Sequence, residues 1–254
     1  MMKAFSLDGH AALVTGSSQG LGLAMAQGLR EAGARVVFHG LQAERTPEVP
    51  ADAAYVSADL LDPDAPEQLV ARAFEHEPGI DTLICNAGSF FDTAPLEMTR
   101  ERWDKTFQLN ISASFFVAQA FAKRLVTANR PGSIVIVSST NGFQGEADSV
   151  AYDSSKGALV MMTRSLAVSL ADHGIRVNGI APGLIRTPLT SQWLEPRAHD
   201  LLVHYEKKIL LRRVGRPQDI AGAAVFLSSP AASYITGEII VIDGGLTVCQ
   251  IGRL

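Results

Sequence analysis

The sequence has few of the residues that build metal centres, disulfide frameworks or nucleic-acid surfaces. Its 254 residues include two cysteines, Cys85 and Cys249, and its six histidines show no metal-ligand spacing. Acidic residues outnumber basic residues by 26 to 22, which gives a net charge of -4. We therefore expect two reduced thiols, no metal site and no nucleic-acid partner, because nucleic-acid binding usually needs a basic face.

Long apolar runs are also missing. No stretch approaches the roughly 20 apolar residues that a membrane-spanning helix needs, and the first nine residues lack the apolar segment of a signal peptide. We expect a cytoplasmic protein with no membrane partner. Hydrophobic residues still make up 47% of the chain and charged residues 19%, a balance typical of a globular protein with a large core.

What the sequence does have is an alternation of short apolar runs and longer helix-like segments. The predicted strands are 11–15, 35–39, 53–58, 82–85, 133–138, 176–180 and 238–242, and the predicted helices are 21–31, 66–76, 100–128, 152–172 and 218–227. Strands that are apolar on both faces are typical of a parallel sheet covered by helices. We predict one α/β domain over residues 1–254. Its fold is a Rossmann-type, doubly wound, seven-stranded parallel sheet with helices on both faces.

Residues 184–216 interrupt the alternation, because they separate two predicted strands by far more than a typical connection. Long excursions in compact domains are often binding loops, so we predict a substrate lid here, with Trp193 on the substrate side. The basic residues at its end form either a solvated face or an anion site; they are Lys207, Lys208, Arg212, Arg213 and Arg216.

A glycine-rich turn lies between the first predicted strand and the first predicted helix. It reads Thr15-Gly16-Ser17-Ser18-Gln19-Gly20-Leu21-Gly22. Glycines at a helix N-terminus leave backbone N–H groups open to a pyrophosphate, and the helix dipole favours its negative charge. In this strand–turn–helix context the segment predicts a dinucleotide site rather than a turn that needs glycine only for its dihedral angles.

The spacing Thr-Gly-x-x-x-Gly-x-Gly resembles the cofactor turn of the short-chain dehydrogenase/reductase family. The resemblance extends over essentially the whole chain, since further family motifs follow in order: Asp59, Asn86-Ala87-Gly88, Asn110, Ser139, Tyr152-x-x-x-Lys156, Pro182-Gly183, Thr187 and Asp243-Gly244-Gly245. It implies an NAD(P)-dependent oxidoreductase that interconverts a secondary alcohol and a ketone. The implied cofactor contacts are Gly16, Ser18, Gln19, Gly20, Leu21, Gly22, His39, Gly40, Asp59, Leu60, Asn86, Ala87, Gly88, Tyr152, Lys156, Pro182, Gly183, Ile185 and Thr187.

The resemblance also implies a catalytic set of Asn110, Ser139, Tyr152 and Lys156. Tyrosine can transfer the proton of the alcohol, but its ordinary pKa of about 10 is high for a base at neutral pH. Tyr152 and Lys156 are spaced to share one face of a helix, where the ammonium lowers the phenol pKa. Ser139 is expected to bind the substrate oxygen, and Asn110 to hold a relay water behind Lys156. Taken alone, the Tyr152–Lys156 pair would read as an ordinary surface pair.

The choice between NAD and NADP depends on the end of the second strand. An acid there would bind the ribose hydroxyls and repel a 2′-phosphate, but the resemblance to the family puts Gly40 in its place. The usual basic residues of NADP sites are absent too, since Gln19 and Leu41 occupy those positions. His39 or Arg45 would then meet the phosphate. Both cofactors stay open, and the sequence leans to NADP.

Substrate identity is weakly encoded. By position, the substrate-side residues are Phe90, Asn141, Gln144, Glu146 and Trp193. Such a set suits a polyol, a sugar or a hydroxy acid, and an oxoacyl thioester stays open as well. Helices 100–128 and 152–172 are apolar on more than one face, and relatives use them to assemble, so we predict a homotetramer.

Two other functions remain to be weighed. One is a non-catalytic, dinucleotide-binding regulatory protein, which would not need Ser139, Tyr152 and Lys156 together. The other is a relative of the nucleotide-sugar epimerases or dehydratases. The glycine spacing and the lack of a large C-terminal substrate domain disfavour it.

Overall fold

The computed structural model describes residues 2–194 and 199–249. Seven parallel strands form one sheet in the order β3-β2-β1-β4-β5-β6-β7. The strands are β1 Ala11–Val14, β2 Arg35–Gly40, β3 Ala54–Ser57, β4 Thr82–Cys85, β5 Gly132–Val137, β6 Ile175–Pro182 and β7 Ile239–Ile242. The order reverses between β1 and β4, so a crevice opens above their carboxyl ends. The predicted doubly wound sheet is confirmed.

Helices cover both faces of the sheet. They are α1 Gly20–Glu31, α2 Ala65–His76, α3 Arg100–Phe107, α4 Ala113–Thr127, α5 Val150–Leu170, α6 Ser191–Leu194, α7 His199–Lys208 and α8 Gln218–Ser228. Successive residues of β1 pack into different cores. Leu13 belongs to the core that includes residues of α2, α4 and α5, while Val14 belongs to the core that includes residues of α1 and α8. This two-sided burial explains why the strands read as continuous apolar runs.

The predicted helix over 100–128 is present, but it is not a regular α-helix along its whole length. A π-helical turn, Gln108–Ser112, separates α3 from α4 and contains the fully buried Asn110. Such turns insert an extra residue into an α-helix and are frequent at functional sites. Here the turn directs a polar amide inward on an otherwise apolar helix, which a 3.6-residue period does not predict.

The segment 184–216 folds back on itself. Ile185 and Gly215 form a parallel β-bridge at its two ends, and α6 and α7 lie between them. Arg213 binds Asp219 of α8 through two hydrogen bonds, of 2.6 and 2.9 Å, so its charge is already neutralised within the protein. This pairing favours the solvated-face interpretation of the basic run over an anion site.

Three expectations from the sequence concern the thiols, membrane helices and metal sites, and the structure addresses them for the residues that it describes. Cys85 is buried on β4, where burial raises the pKa of its thiol to about 12. Within residues 2–194 and 199–249, no helix has both the length and the apolar character to cross a membrane. The same ranges contain no cluster of three or more His, Cys, Asp or Glu side chains that could hold a metal ion.

Candidate active site

A cleft lies above the carboxyl ends of β1, β4, β5 and β6. The predicted residues that line it are Gly16, Gln19, Gly20, Leu21, Asn86, Gly88, Ser139, Tyr152, Lys156, Pro182, Gly183, Ile185 and Thr187. Five further lining residues were not predicted, namely Val137, Ser138, Pro188, Leu189 and Thr190. The fold therefore brings the glycine turn and the Tyr152–Lys156 pair, which are more than 130 residues apart in sequence, into one crevice.

The glycine turn has the shape that a pyrophosphate needs. Gly16 and Gly20 have φ values of +62° and +59°, a region that favours glycine. A Cβ on Gly22 would lie 2.2 Å from the carbonyl oxygen of Gly16, so this position must lack a side chain. No side chain caps the N-terminus of α1, which leaves its first amides available. The turn therefore fits the pyrophosphate of a dinucleotide.

Tyr152, Ser139 and Lys156 meet at the floor of the cleft. The Tyr152 hydroxyl is hydrogen-bonded to Ser139. The neighbouring Ser138 instead donates to the carbonyl of Lys156, at 2.8 Å. The Lys156 ammonium donates to the carbonyl of Val137 at 3.0 Å and lies 5.4 Å from the centre of the Tyr152 ring. The phenol, the hydroxyl and the ammonium thus form one polar group in the crevice.

Burial dominates the electrostatics of this group. It raises the pKa of Tyr152 to about 12, against the lowering effect of the Ser139 hydrogen bond. It also lowers the pKa of Lys156 to about 8. The expectation that Lys156 depresses the phenol pKa is therefore not met by the protein alone. At neutral pH Tyr152 is a phenol, the form that donates a proton.

Both the nitrogen and the oxygen of the Asn110 side-chain amide are hydrogen-bonded to other groups of the protein. It donates to the carbonyl of Ser89 and to Ser155 Oγ, both at 3.0 Å, and accepts from the Ser89 amide at 2.9 Å. A Cβ on Gly88 would lie 3.0 Å from Asn110 Oδ1 and 3.8 Å from Lys156 Nζ. Asn110 and Lys156 therefore border the same glycine, while the water relay stays a prediction.

Comparison with known proteins identifies the family of this chain. A family model described as enoyl-(acyl carrier protein) reductase matches residues 16–247. The gluconate 5-dehydrogenase of Gluconobacter oxydans (strain 621H) is 38% identical over 254 residues, covering 96% of this chain and 97% of that protein. The chain belongs to the short-chain dehydrogenase/reductase family. It is an NAD(P)-dependent oxidoreductase that acts on CH–OH groups, as predicted, and not a regulatory protein without catalysis.

Two other members show the breadth of the family around this chain. The 3-oxoacyl-(acyl-carrier-protein) reductase of Aquifex aeolicus (strain VF5) is 36% identical over 252 residues, covering 94% of this chain and 98% of that protein. A crystal structure of a gluconate 5-dehydrogenase from Burkholderia cenocepacia J2315, in complex with NADP and tartrate, is 30% identical. It superposes with a TM-score of 0.89 and covers 97% of this chain and 98% of that one.

In this short-chain dehydrogenase/reductase, His39 lies behind the glycine turn and not at the cofactor surface. It is 3% exposed; its Nδ1 accepts from the amide of Gly16 at 2.9 Å, and its Nε2 donates to the carbonyl of Ala58 at 3.2 Å. Both bonds require the neutral ring, and burial lowers the pKa of His39 to about 4. The structure corrects its expected role, because a neutral, buried ring does not bind a phosphate by charge.

Acid should therefore destabilise the protein through His39. Its pKa is about 4 when folded and about 6.5 when unfolded, so below pH 6.5 the unfolded chain binds a proton that the folded chain does not. We expect the free energy of unfolding to fall by up to about 1.4 kcal/mol per pH unit between pH 6.5 and 4 from this group. Denaturant unfolding of His39→Asn should lack this component. His76→Asn, at the exposed end of α2, should keep the wild-type slope, and equal slopes in all three proteins would contradict the assignment.

The remaining predicted cofactor residues lie around the cleft without lining it. A Cβ on Gly40 would lie 2.5 Å from the Tyr55 hydroxyl and 2.9 Å from Ser18 Oγ, so a larger side chain at this position would require Tyr55 and Ser18 to move. Asp59 is exposed, and its carboxylate accepts from the Leu61 amide at 3.0 Å. Three others are buried or half-buried and not part of the lining: Gly22, Leu60 and Ala87.

The predicted substrate residues lie against Tyr152 or in the loop before α5, and none of those whose side chains the structure describes lines the cleft. The ring of Phe90 packs edge-on against that of Tyr152, with centroids 5.5 Å apart. Asn141 contacts Ser139, and Glu146 is hydrogen-bonded to Tyr205 of α7, where burial and this carboxylate raise the pKa of Tyr205 to about 12. Gln144 is half-buried in the same loop. The Trp193 side chain lies outside the described residues.

Sequence reasoning missed Asp92, which caps the helix that carries Tyr152. Its carboxylate accepts from the amides of Ala151 and Tyr152 at 2.8 and 3.1 Å, across 59 and 60 residues of sequence. Because this cap satisfies the first amides of α5, the helix begins at Val150, two residues before the predicted start. No local sequence pattern predicts a helix cap that comes from such a distant residue.

Proposed function

We propose that this enzyme interconverts a secondary alcohol and a ketone on a small polyhydroxylated substrate, such as a polyol, sugar or hydroxy acid, with NADP(H) as cofactor. The observation that carries the proposal is the convergence of Tyr152, Ser139 and Lys156 beside a turn shaped for pyrophosphate. The polar side chains of Asn141, which contacts Ser139, and of Glu146 in the same loop support a hydroxylated substrate.

Each residue of the set has a definite part in ketone reduction. The bound nicotinamide supplies the hydride. Tyr152, a phenol at neutral pH, donates its proton to the oxygen of the former carbonyl. Ser139 donates a hydrogen bond to that oxygen and stabilises its developing charge. Lys156 keeps a positive charge beside the phenol, and Asn110 fixes the helix turn behind it. In the reverse direction, the tyrosinate that this transfer leaves accepts the alcohol proton and so returns to the phenol.

The cofactor is proposed to lie along the glycine turn with its nicotinamide end against Pro182, Gly183, Ile185 and Thr187, which line the cleft beyond Tyr152. Gly40 leaves no carboxylate to repel a 2′-phosphate, and the related gluconate 5-dehydrogenase structure holds NADP. Asp59 and Leu60 are proposed to border the adenine. The segment 184–216 is proposed to close over the substrate as a lid.

A basic side chain at position 41 should strengthen NADP(H) use. Leu41 follows β2 directly and is 63% exposed, so an arginine there fits without disturbing the core. For Leu41→Arg we expect kcat/KM with NADPH to rise about tenfold relative to NADH, because a charge-assisted hydrogen bond to phosphate contributes about 1.5–3 kcal/mol. Steady-state kinetics with both cofactors measures the ratio. Leu41→Ala serves as the control, and an equal change in both variants would contradict this placement of the ribose.

The substrate class is tested with the wild-type enzyme. A panel of polyols, aldonates and other hydroxy acids, ketoses and a 3-oxoacyl thioester is assayed with both cofactors by the absorbance of the reduced nicotinamide. We expect turnover of polyhydroxylated compounds with NADP(H). Turnover of the thioester alone would replace this substrate class by the one named for the Aquifex aeolicus relative.

Assembly as a homotetramer is part of the proposal. Phe116 on α4 and Met161 and Val168 on α5 are 48%, 57% and 82% exposed, an apolar surface that a second copy would cover.

A cytoplasmic location is proposed as well, in keeping with the buried thiol of Cys85.

A further inference from the structure

Asp153, the residue after Tyr152, is the centre of a hydrogen-bond network in the loop between β5 and α5. Its Oδ1 accepts from the side-chain nitrogen Nδ2 of Asn141 and from Ser149 Oγ, and its Oδ2 accepts from the backbone amide of Glu146. All three distances are 2.7 Å. Short bonds to an ionised carboxylate are among the strong hydrogen bonds of proteins. Asp153 does not line the cleft, so it acts through other residues.

The bond to Asn141 determines which way that amide faces. Because its nitrogen donates to Asp153, its oxygen must point to the other side, where it lies 3.5 Å from Ser139 Oγ. The backbone amide of Asn141 also donates to Ser139 Oγ, at 3.1 Å. Ser139 is in turn hydrogen-bonded to Tyr152. An unbroken series of hydrogen bonds therefore runs from Asp153 through Asn141 to the two groups that face the reacting oxygen.

We propose that Asp153 is a positioning residue for the reaction: it holds Asn141 so that the backbone amide of Asn141 donates to Ser139 Oγ and fixes that oxygen beside Tyr152. The Ser139 proton, which has only a 3.5 Å contact with Asn141 Oδ1, turns to the substrate oxygen when substrate binds. This inference rests on the proposed function of Ser139 and Tyr152. Asp153 also binds the backbone amide of Glu146, and the Glu146 carboxylate binds Tyr205 of α7. In this way Asp153 also holds the loop before α5 where it contacts the segment 184–216. Displacement of such a group by 1 Å lowers turnover by about a hundredfold in the strongest cases.

A purely structural role is the competing explanation. Asp153 lies in the first turn of α5, where any acid is favoured by the helix dipole. That role predicts a loss of thermal stability and no specific loss of kcat. It also predicts that moving the carboxylate to another residue of the network restores nothing.

The test reverses the direction of one hydrogen bond. In Asp153→Asn the new amide cannot accept from Asn141, Ser149 and Glu146 at once, so we expect kcat to fall about tenfold or more while the Kd of NADP(H) stays within about twofold. In the double variant Asp153→Asn with Asn141→Asp, the nitrogen at 153 donates to the carboxylate at 141, so the bond between the two side chains is restored and the backbone amide of residue 141 again donates to Ser139 Oγ. We expect it to regain most of the lost kcat. Asp148→Asn is the matched control, since Asp148 is an exposed acid of the same loop with φ +54°, a conformation that asparagine tolerates.

Hydrogen–deuterium exchange of the amides of Asn141 and Glu146 gives a readout that needs no substrate. We expect faster exchange in Asp153→Asn than in the wild type, and wild-type exchange in Asp148→Asn and in the double variant. Wild-type kcat and exchange in Asp153→Asn would overturn the proposal, as would a double variant no better than the single one. Absence of turnover in the wild type across the substrate panel would instead overturn the proposed function, with the exchange result still testing the network.

Discussion

Tyr152→Phe is expected to lower kcat by about 10²–10⁴-fold, because it removes the only atom that is proposed to carry the substrate proton. The phenylalanine ring still fills the space against Phe90, so the cleft keeps its shape. Cofactor affinity should be nearly unchanged, since the glycine turn is untouched. Single-turnover absorbance of the reduced nicotinamide measures the first quantity, and fluorescence titration of NADPH measures the second.

Tyr234→Phe is the matched control for that experiment. Tyr234 is fully exposed, so its loss of a hydroxyl should leave kcat at the wild-type value. If Tyr152→Phe turned over substrate as fast as this control, the proton would have to come from another group, and the mechanism proposed for this site would be wrong.

Gly22→Ala should damage dinucleotide binding most among substitutions that add one methyl group. The new Cβ would lie 2.2 Å from the Gly16 carbonyl oxygen and 2.5 Å from Asn86 Nδ2, so backbone and side chain must both shift. Overpacking of this kind costs about 1–3 kcal/mol, and if the cost falls on the bound conformation the Kd rises by a factor of about 5 to 150. Fluorescence titration measures the Kd, and thermal melting shows whether the protein is folded at the assay temperature.

Gly222→Ala provides the same chemical change where space is available. Gly222 lies within α8, and a Cβ there meets nothing within 4 Å. Alanine is favoured over glycine in a helix by about 0.5–1 kcal/mol, so this variant should melt higher and bind NADPH as the wild type does. Equal cofactor affinity in Gly22→Ala and Gly222→Ala would contradict the fit of a pyrophosphate to the glycine turn.

The sheet was predictable from the sequence because its signals are local. Each strand is a short apolar run, and the glycine turn follows the first of them directly. The spacing between Tyr152 and Lys156 is also local, since four residues on a helix bring two side chains to one face. Features of this kind depend on neighbours in sequence, which a single chain displays without any knowledge of its packing.

The parts that escaped prediction depend on contacts between distant segments. The neutral state of His39 follows from its burial behind the glycine turn, where it accepts from Gly16, 23 residues away. The start of α5 follows from Asp92, which accepts from Ala151, 59 residues further along the chain. In the sequence, a histidine that titrates near neutral pH looks the same as a buried, neutral one. A surface aspartate likewise looks the same as an aspartate that caps a helix. Only the fold distinguishes them, because burial and partner geometry decide which form of each group is stable.

The bridge between Ile185 and Gly215 affects which insertions and deletions the fold tolerates during evolution. Gly215 fits against Ile185 so closely that a Cβ there would lie 2.2 Å from the isoleucine Cδ1, and the chain leaves and rejoins the domain at this one point. The entropy of closing such an excursion grows only slowly with its length. Insertions, deletions and whole replacements between these two anchors are therefore compatible with an unchanged sheet, and under the proposed lid role they would alter the range of substrates.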